Sequence, residues 1–487
     1  MACFADVTKP TITSSVSDRV QIAGAAIEKV RSTSNTSEGL FSDLANISFG
    51  TSATFYSQLA EFDLIANQTT YEDAVQNYFP LAEASRPGLL DEFSPQQMNF
   101  VMKVIYYHSS SVKQMNYGLA NGYAAIRAYI IYNNDTFLAY AEECWNSNQA
   151  YALTDADLSG TFALKDFPLQ SSCQGITMAG GVFWETDISN PSIDGLGTGI
   201  SSAKVILISL SALLAKVTGN QTYLNAAQSS AAFIHAHLFN SEGVVQDTIS
   251  ARQNDSCSTS GNMWPYNAGL MIEGLATLYS FTQNATIQSL LNAAIVAAVQ
   301  STVWVTDSGI IASGTQKVGD SMLARGLLVA HSHNATSTEI RTYIEAFLGV
   351  QYNAIIDLAT ANGTNIYTSW SGPPSEQYSA SDQITALTVL IGAILLQDNS
   401  TSPNSSPITT STLSPIRSHT TVPVGAVIGG IVGGAMEIHP QQVQNPFQSS
   451  NQRAREHVTT EELVRLLNER LQPESWDTSE MPPMYDM

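Results

Sequence analysis

The sequence predicts an all-α fold, an (α/α)6 barrel with long loops over one end. Three observations lead there. Apolar residues recur at helical spacing through most of the chain, a short Asn-containing motif recurs in the breaks between helices, and two long Gly/Ser-rich loops each carry a cysteine.

In chain order, Ser17–Ser32 places Val20, Ala23, Ile27 and Val30 on one helical face. The motif then appears as Asn67-Gln-Thr-Thr-Tyr, Asn134-Asp-Thr-Phe, Asn220-Gln-Thr-Tyr, Asn284-Ala-Thr-Ile and Asn334-Ala-Thr-Ser-Thr. Each copy lies between two periodic stretches, and each Thr is placed to cap the following helix through its hydroxyl. The clearest copy reads as helix Lys204–Val217, turn Thr218-Gly-Asn-Gln and returning helix Tyr223–His237. Spacing between copies is uneven, which excludes a short solenoid repeat and fits hairpins separated by loops of variable length. Five marked hairpins and an unmarked terminal one make about a dozen helices, the number an (α/α)6 barrel requires. The loops Leu153–Gly199 and Phe239–Pro265 then cover one end, and Cys173 and Cys257 within them are the expected disulfide. Cys144, in a helical pattern, and Cys3, at the extreme N-terminus, are left unpaired.

The barrel is expected over residues 16–397. A Ser/Thr/Pro-rich linker follows at 398–421, unable to bury enough to fold. The apolar, Gly-rich run at 422–435 is too short to span a bilayer and resembles the opening of a truncated membrane span. Residues 436–487 read as a mostly disordered tail with one helix at Thr460–Leu471.

The formal net charge of −22, with 42 acidic against 20 basic residues, repels phosphate backbones and excludes nucleic acid as a natural partner. Charged residues are only 13% of the chain. That is about half the usual share, and a neutral polysaccharide suits such a surface. Asn-x-Ser/Thr sequons at Asn35, Asn46, Asn67, Asn134, Asn220, Asn254, Asn284, Asn334, Asn362, Asn399 and Asn404 point to a secreted or cell-surface glycoprotein. Met1–Thr13 has no apolar core of a leader peptide, so the start is expected to be incomplete or misassigned.

No cofactor is called for. His235/His237 and His331/His333 alternate on helices and would face apart, so no metal site is expected. Phosphate loops and Gly-x-Ser-x-Gly elbows are absent, and Gly195-Leu-Gly-Thr-Gly follows no clear strand. Two stretches carry site chemistry instead. Gly180-Gly-Val-Phe-Trp-Glu-Thr-Asp combines flexible backbone, an aromatic platform and two acids, as a sugar cleft needs; its plain alternative is a turn entering a buried strand. If strand alternation holds, Phe183, Glu185 and Asp187 share one face and Trp184 the other. Asn262–Leu275 opens a helix at Pro265, with Trp264, Tyr266 and Asn267 about its first turn and Glu273 further along.

Cys173 followed by Gly180-Gly-Val-Phe-Trp, then Asp247-Thr before Cys257, then Tyr266-Asn267-Ala-Gly269 with Glu273-Gly274, resembles glycoside hydrolase family 76. In fungi that family includes endo-α-1,6-mannanases and Dfg5-like cell-wall proteins. The resemblance covers about Ser17 to Leu396. It implies a six-hairpin glycosidase barrel, a groove for α-1,6-linked mannose chains as the partner, and no metal. Family members act through two adjacent aspartates just before an inner helix. Here that helix is Ala120–Ile131, and counting back from Ala128-Tyr129 places the pair at Asn116 and Tyr117. Neither supplies a carboxyl group, whereas retaining hydrolysis needs two about 5 Å apart. Two expectations stand side by side. Either relocated acids, Glu185 and Asp187 with Asp247 in support, carry out hydrolysis, or the chain is a pseudoenzyme that binds cell-wall mannan. In both, Trp184, Asp247, Trp264, Tyr266, Asn267, Asn116 and Tyr117 line one pocket.

Overall fold

The computed structural model describes residues 9–35, 40–41, 50–85, 91–92, 113–160, 162–194, 207–312, 319–360 and 364–396. All of them belong to one compact unit that ends at Asn399. The expected linker, apolar run and tail lie outside the described residues, as does Cys3.

Twelve principal helices are described: α1 (Val16–Arg31), α2 (Gly50–Ile65), α3 (Glu72–Ser85), α4 (Asn116–Tyr132), α5 (Asp135–Gln149), α6 (Leu207–Thr218), α7 (Gln221–His237), α8 (Pro265–Thr282), α9 (Ala285–Gln300), α10 (Ser321–Ser332), α11 (Thr338–Asp357) and α12 (Ala380–Gly392). The even-numbered helices form a closed ring, each packing on the next and α12 returning to α2. The odd-numbered helices lie outside it. This is an (α/α)6 barrel.

Sequence pattern separates the two layers. Inner α8 buries every residue from Pro265 to Leu278, so it is enclosed around its whole circumference. Outer α9 buries only Leu291, Ala294, Ile295, Ala298 and Val299, the single stripe of an amphipathic helix. Inner helices also approach closely. A β-carbon on Gly326 of α10 would overlap the Gly269 carbonyl oxygen of α8, so the crossing demands glycine.

Each inner helix of the first five hairpins stops at a left-handed residue: Asn67, Asn133, Gly219, Gln283 and Asn334. The recurring motif therefore marks the inner-to-outer turns, but its capping atom is not the expected one. Asn134, Asn220 and Asn284 are themselves the N-caps, and their Oδ1 atoms accept the amides of Thr136, Thr222 and Thr286 at 3.0, 2.9 and 2.8 Å. The Asn carbonyl reaches two residues ahead from the extended cap position, which leaves the Thr hydroxyl no capping role.

The sixth pair also departs from expectation. The outer partner of α12 is not a terminal hairpin helix but α1, from the other end of the domain. Buried Arg19 holds it there, with Nη1 donating to the Ala393 and Leu396 carbonyls at 2.6 and 3.0 Å, where the chain leaves α12. The Ala393 carbonyl also accepts the Leu396 amide at 3.2 Å, and the guanidinium adds its donors where the helical hydrogen-bond ladder runs out.

Because every turn reverses the chain, the inner helices all start at one end of the barrel, and the long loops cover that end. They build a three-stranded antiparallel sheet of β1 (Val182–Phe183), β2 (Ser192–Asp194) and β3 (Ile249–Ser250), with Val182 opposite Asp194, Phe183 opposite Ile193, and Ile193 opposite Ile249. Cys173 and Cys257 are disulfide-bonded, Cα–Cα 5.9 Å, across 84 residues of sequence. They tie the first loop to the second. Cys144 is a buried free thiol.

Candidate functional site

The loop-covered end carries two groups of side chains. The first gathers where α8 begins. Pro265 occupies the first helical turn, where its missing N–H costs nothing. Tyr266 and Asn267 follow, both buried. The Asp247 amide is fixed to the Asn262 carbonyl. The buried Asp247 carboxylate accepts from Asn267 Nδ2 at 3.3 Å and, at the outer limit of a hydrogen bond, from the Tyr266 hydroxyl at 3.5 Å. Trp264 stacks on Tyr266 at 6.1 Å between centroids, 11° from parallel. The Tyr266 hydroxyl is held well above its ordinary range, first by burial and then by the negative charges of Asp247, Asp320 and Asp194. Asn267 Oδ1 is buried without a hydrogen-bond partner among the described residues.

The second group is the Gly180–Asp187 ribbon. Gly180 has φ +92°, and a β-carbon there would overlap the Ser229 carbonyl of α7, so the ribbon lies directly against that helix. Only glycine fits both demands. Further on, the Met115 amide donates to the Trp184 carbonyl at 2.9 Å, which joins the ribbon to the start of α4. Phe183 is enclosed by Phe162, Phe167 and the Lys165 ammonium, 4.3 Å above its ring. Lys165 Nζ also donates to the main-chain carbonyls of Glu185 and Asp187 at 3.1 and 2.5 Å. Burial lowers this amine to about 8, against the pull of Glu185, Asp187 and Asp166. Burial likewise raises the Glu185 carboxyl to about 7, although Asn190 Nδ2 donates to it.

The expected alternation in this ribbon does not hold. The strand ends at Phe183, and Phe183, Trp184 and Glu185 are all buried in succession. A bend at Trp184 rotates the chain out of the pleat. Asp187 then stands in a surface turn, its Oδ1 accepting the Ser189 amide and hydroxyl, both at 2.8 Å. This local loop is what an aspartate at a turn commonly makes with its own backbone. The two acids expected to share a face are separated, one inside and one at the surface. Asn116 is the first residue of α4. Tyr117, expected to offer its ring to the pocket floor, is fully buried and donates its hydroxyl to the Ala82 carbonyl of α3 at 2.6 Å. It belongs to the barrel wall.

Several residues of this end are not singled out by sequence. Asp320 caps α10, accepting the Met322 and Leu323 amides at 3.0 and 2.8 Å. Its signal is an acid just before a periodic run. Asp194, fully buried on β2, and Lys165 have none. Deeper in the barrel, Glu273 is not a cleft group. It accepts the Tyr123 hydroxyl at 2.5 Å and Arg325 Nε at 2.9 Å, forming a buried link between α4, α8 and α10. Among the described residues no group of His, Cys, Asp and Glu could hold a metal, and no helix is long and apolar enough to cross a membrane.

Fold and site together define a protein of the helical-barrel glycosidase class, with buried acids and stacked aromatics beneath disulfide-tied loops. Residues 169–406, about half of the chain, match the model of glycosyl hydrolase family 76. It is similar to the mannan endo-1,6-alpha-mannosidases DCW1 of Candida glabrata, 34% identical over 110 residues, and of Saccharomyces cerevisiae, 35% identical over 106 residues. Those matches span 22% and 21% of this chain, and 24% and 23% of the curated relatives. The fold is shared with solved structures. An α-1,6-mannanase of Salegentibacter sp. HEL1_6 aligns at TM-score 0.61 and 16% identity, over 78% of this chain and 100% of its own. Dfg5 of Chaetomium thermophilum, solved with glucosamine, aligns at TM-score 0.56 and 12% identity, over 79% of this chain and 92% of its own.

Proposed function

We propose that the chain is a cell-surface or extracellular protein that binds α-1,6-linked mannan at its loop-covered barrel end, without hydrolysing it by the family's paired-aspartate route. One observation carries this reading. The positions that the family resemblance assigns to the acid pair hold Asn116 and Tyr117, and Tyr117 is sealed into the wall against Ala82, while the Asp247–Tyr266–Asn267 group remains assembled. A mannanase neighbour supports the separation of binding from turnover. Its inactive variant, with two consecutive aspartates changed to alanine, is in complex with alpha-1,6-mannotetrose. The curated relatives are mannan endo-1,6-alpha-mannosidases by name, which supports the same polymer. Trp184, Trp264, Tyr266, Asn267 and Asp247 are the residues proposed to meet it, with the domain limits 16–397 as read from the sequence.

A second reading rests on Glu185. A carboxyl raised to about 7 stays partly protonated near neutrality, the state a general acid needs. Asp187, two residues on in the surface turn, would then be the second acid. Purified protein incubated with α-1,6-mannan, scored for new reducing ends and for retention on immobilised mannan, separates the two. Retention without reducing ends is expected. Reducing ends that disappear in Glu185→Gln would establish hydrolysis by relocated acids, and failure of retention would remove mannan as the ligand.

A further inference from the structure

The recurring Asn motif does more than mark hairpins. We propose that Asn67, Asn134, Asn220, Asn284 and Asn334 carry N-linked glycans, all on the barrel end opposite the loop-covered one. The five asparagines occupy the five inner-to-outer turns, and the inner helices end there by construction of the barrel. Asn67, Asn220, Asn284 and Asn334 are exposed and Asn134 is half-buried.

Helix capping alone does not account for the motif. A cap bond uses the backbone N–H two residues on and requires no hydroxyl there, although Thr136 Oγ1 also donates to Asn134 Oδ1 at 2.8 Å. All five copies nevertheless have Thr at that position: Thr69, Thr136, Thr222, Thr286 and Thr336. At two turns the Asn is not a cap at all. Asn67 and Asn334 are left-handed, with φ of 53° and 49°, and Ser337 caps α11 in place of Asn334. The Asn-x-Thr pattern persists where capping cannot require it.

The geometry also tolerates the modification. At Asn134, Asn220 and Asn284 the cap bond occupies Oδ1, whereas a glycan is attached to Nδ2. At Asn334, Arg341 Nη1 likewise donates to Oδ1. In the transfer, Asn Nδ2 bonds to the sugar C1 of a lipid-pyrophosphate-linked oligosaccharide. The C1–phosphate oxygen bond breaks, the lipid pyrophosphate leaves, and the amide gives up one proton. Oδ1 is untouched, so the cap survives. Asn254 is an exposed sequon at the other end, in the segment between β3 and Cys257, with Ser as its third residue. It lies outside the proposal and serves as the internal control.

The test is to express the full chain behind a secretory leader in a yeast host and treat it with peptide-N-glycosidase in heavy-oxygen water. Former glycosylation sites are then read by mass as labelled aspartates, in secreted and in retained protein. The five turn peptides are expected to be labelled and the Asn254 peptide to remain largely unlabelled. Thr222→Ala, which leaves the amide that Asn220 caps, should lose one glycan's worth of gel mobility shift and keep the wild-type melting temperature. Unlabelled turn peptides, or Asn254 occupied as fully as the turns, would overturn the one-ended arrangement.

Discussion

The N-terminal ends of α4 and α8 lie at the same end of one barrel and differ in what they bury. At α8, Asp247, Tyr266 and Asn267 form a buried polar group with one orphan acceptor, which is poor packing and good preparation for a ligand rich in hydroxyls. At α4, Tyr117 is fully buried with its hydroxyl satisfied by Ala82, which is good packing and leaves nothing to offer. The family match begins at residue 169, so it takes in the start of α8 and stops short of the start of α4. A barrel of inner helices lets one position change without disturbing its neighbours, because each helix begins as a separate end held by its own loop. Under the proposed function, binding is retained at one helix start and the acid pair is lost at another.

The largest effect that sharpens this contrast concerns the ribbon between these helix ends. Glu185 is raised from 4.5 to about 7, so the folded protein holds a proton that the unfolded chain has released. Its stabilising contribution is complete below pH 4.5 and is lost as pH rises through about 7. Lys165, lowered from 10.5 to about 8, acts in the opposite sense, and stability regained from it appears between pH 8 and 10.5. The ribbon is therefore weakest between about pH 7 and 8, where both groups are charged. Glu185→Gln should flatten the fall between pH 4.5 and 7 and stabilise the protein at about pH 7.5 by up to roughly 3 kcal/mol. Urea titrations across that range check it, and an unchanged slope would mean that Glu185 is not the buried titrating group.

A smaller effect is expected where α8 begins. Asp247→Asn keeps the side chain's shape and its acceptor towards Asn267 but removes the charge. Mannan retention should weaken about tenfold, equivalent to about 1.4 kcal/mol, with the melting temperature little changed. Equal loss of stability and binding would make Asp247 a structural group and leave the start of α8 without a ligand role.

How much of this is legible in the sequence depends on whether a feature is local. The inner-to-outer turns are, because Asn67 through Asn334 write the same signal five times. The capping atom is not, because Asn and Thr are both good N-caps and stand two residues apart; only the backbone conformation decides between them. The pairing of α1 with α12 is hidden as well, since Arg19 meets Ala393 and Leu396 across nearly the whole domain and no turn links the helices. At the site, Cys173–Cys257 and the Asp247–Asn267 group follow from loops and motifs. Lys165 and Asp194 do not, because a single charge in a loop ordinarily points to water and only tertiary contacts enclose it. Asp187 misleads for the converse reason: the bend at Trp184 turns a strand-like pattern into a surface turn.

The smallest expected effect tests the start of α4 most directly. Tyr117→Phe removes one hydroxyl and leaves the Ala82 carbonyl without that donor, while the ring and its packing stay in place. The cost should be about 1 kcal/mol of stability, the worth of one buried neutral hydrogen bond together with part of the acceptor's desolvation. Mannan retention should not move, because a wall residue that faces α3 has no surface to give a ligand. Thermal denaturation and retention on immobilised mannan, measured on the same preparation, read the two quantities separately. If retention falls several-fold while stability holds, Tyr117 faces the sugar after all. The start of α4 would then be a working part of the cleft, with an aromatic platform standing where the family keeps its acids.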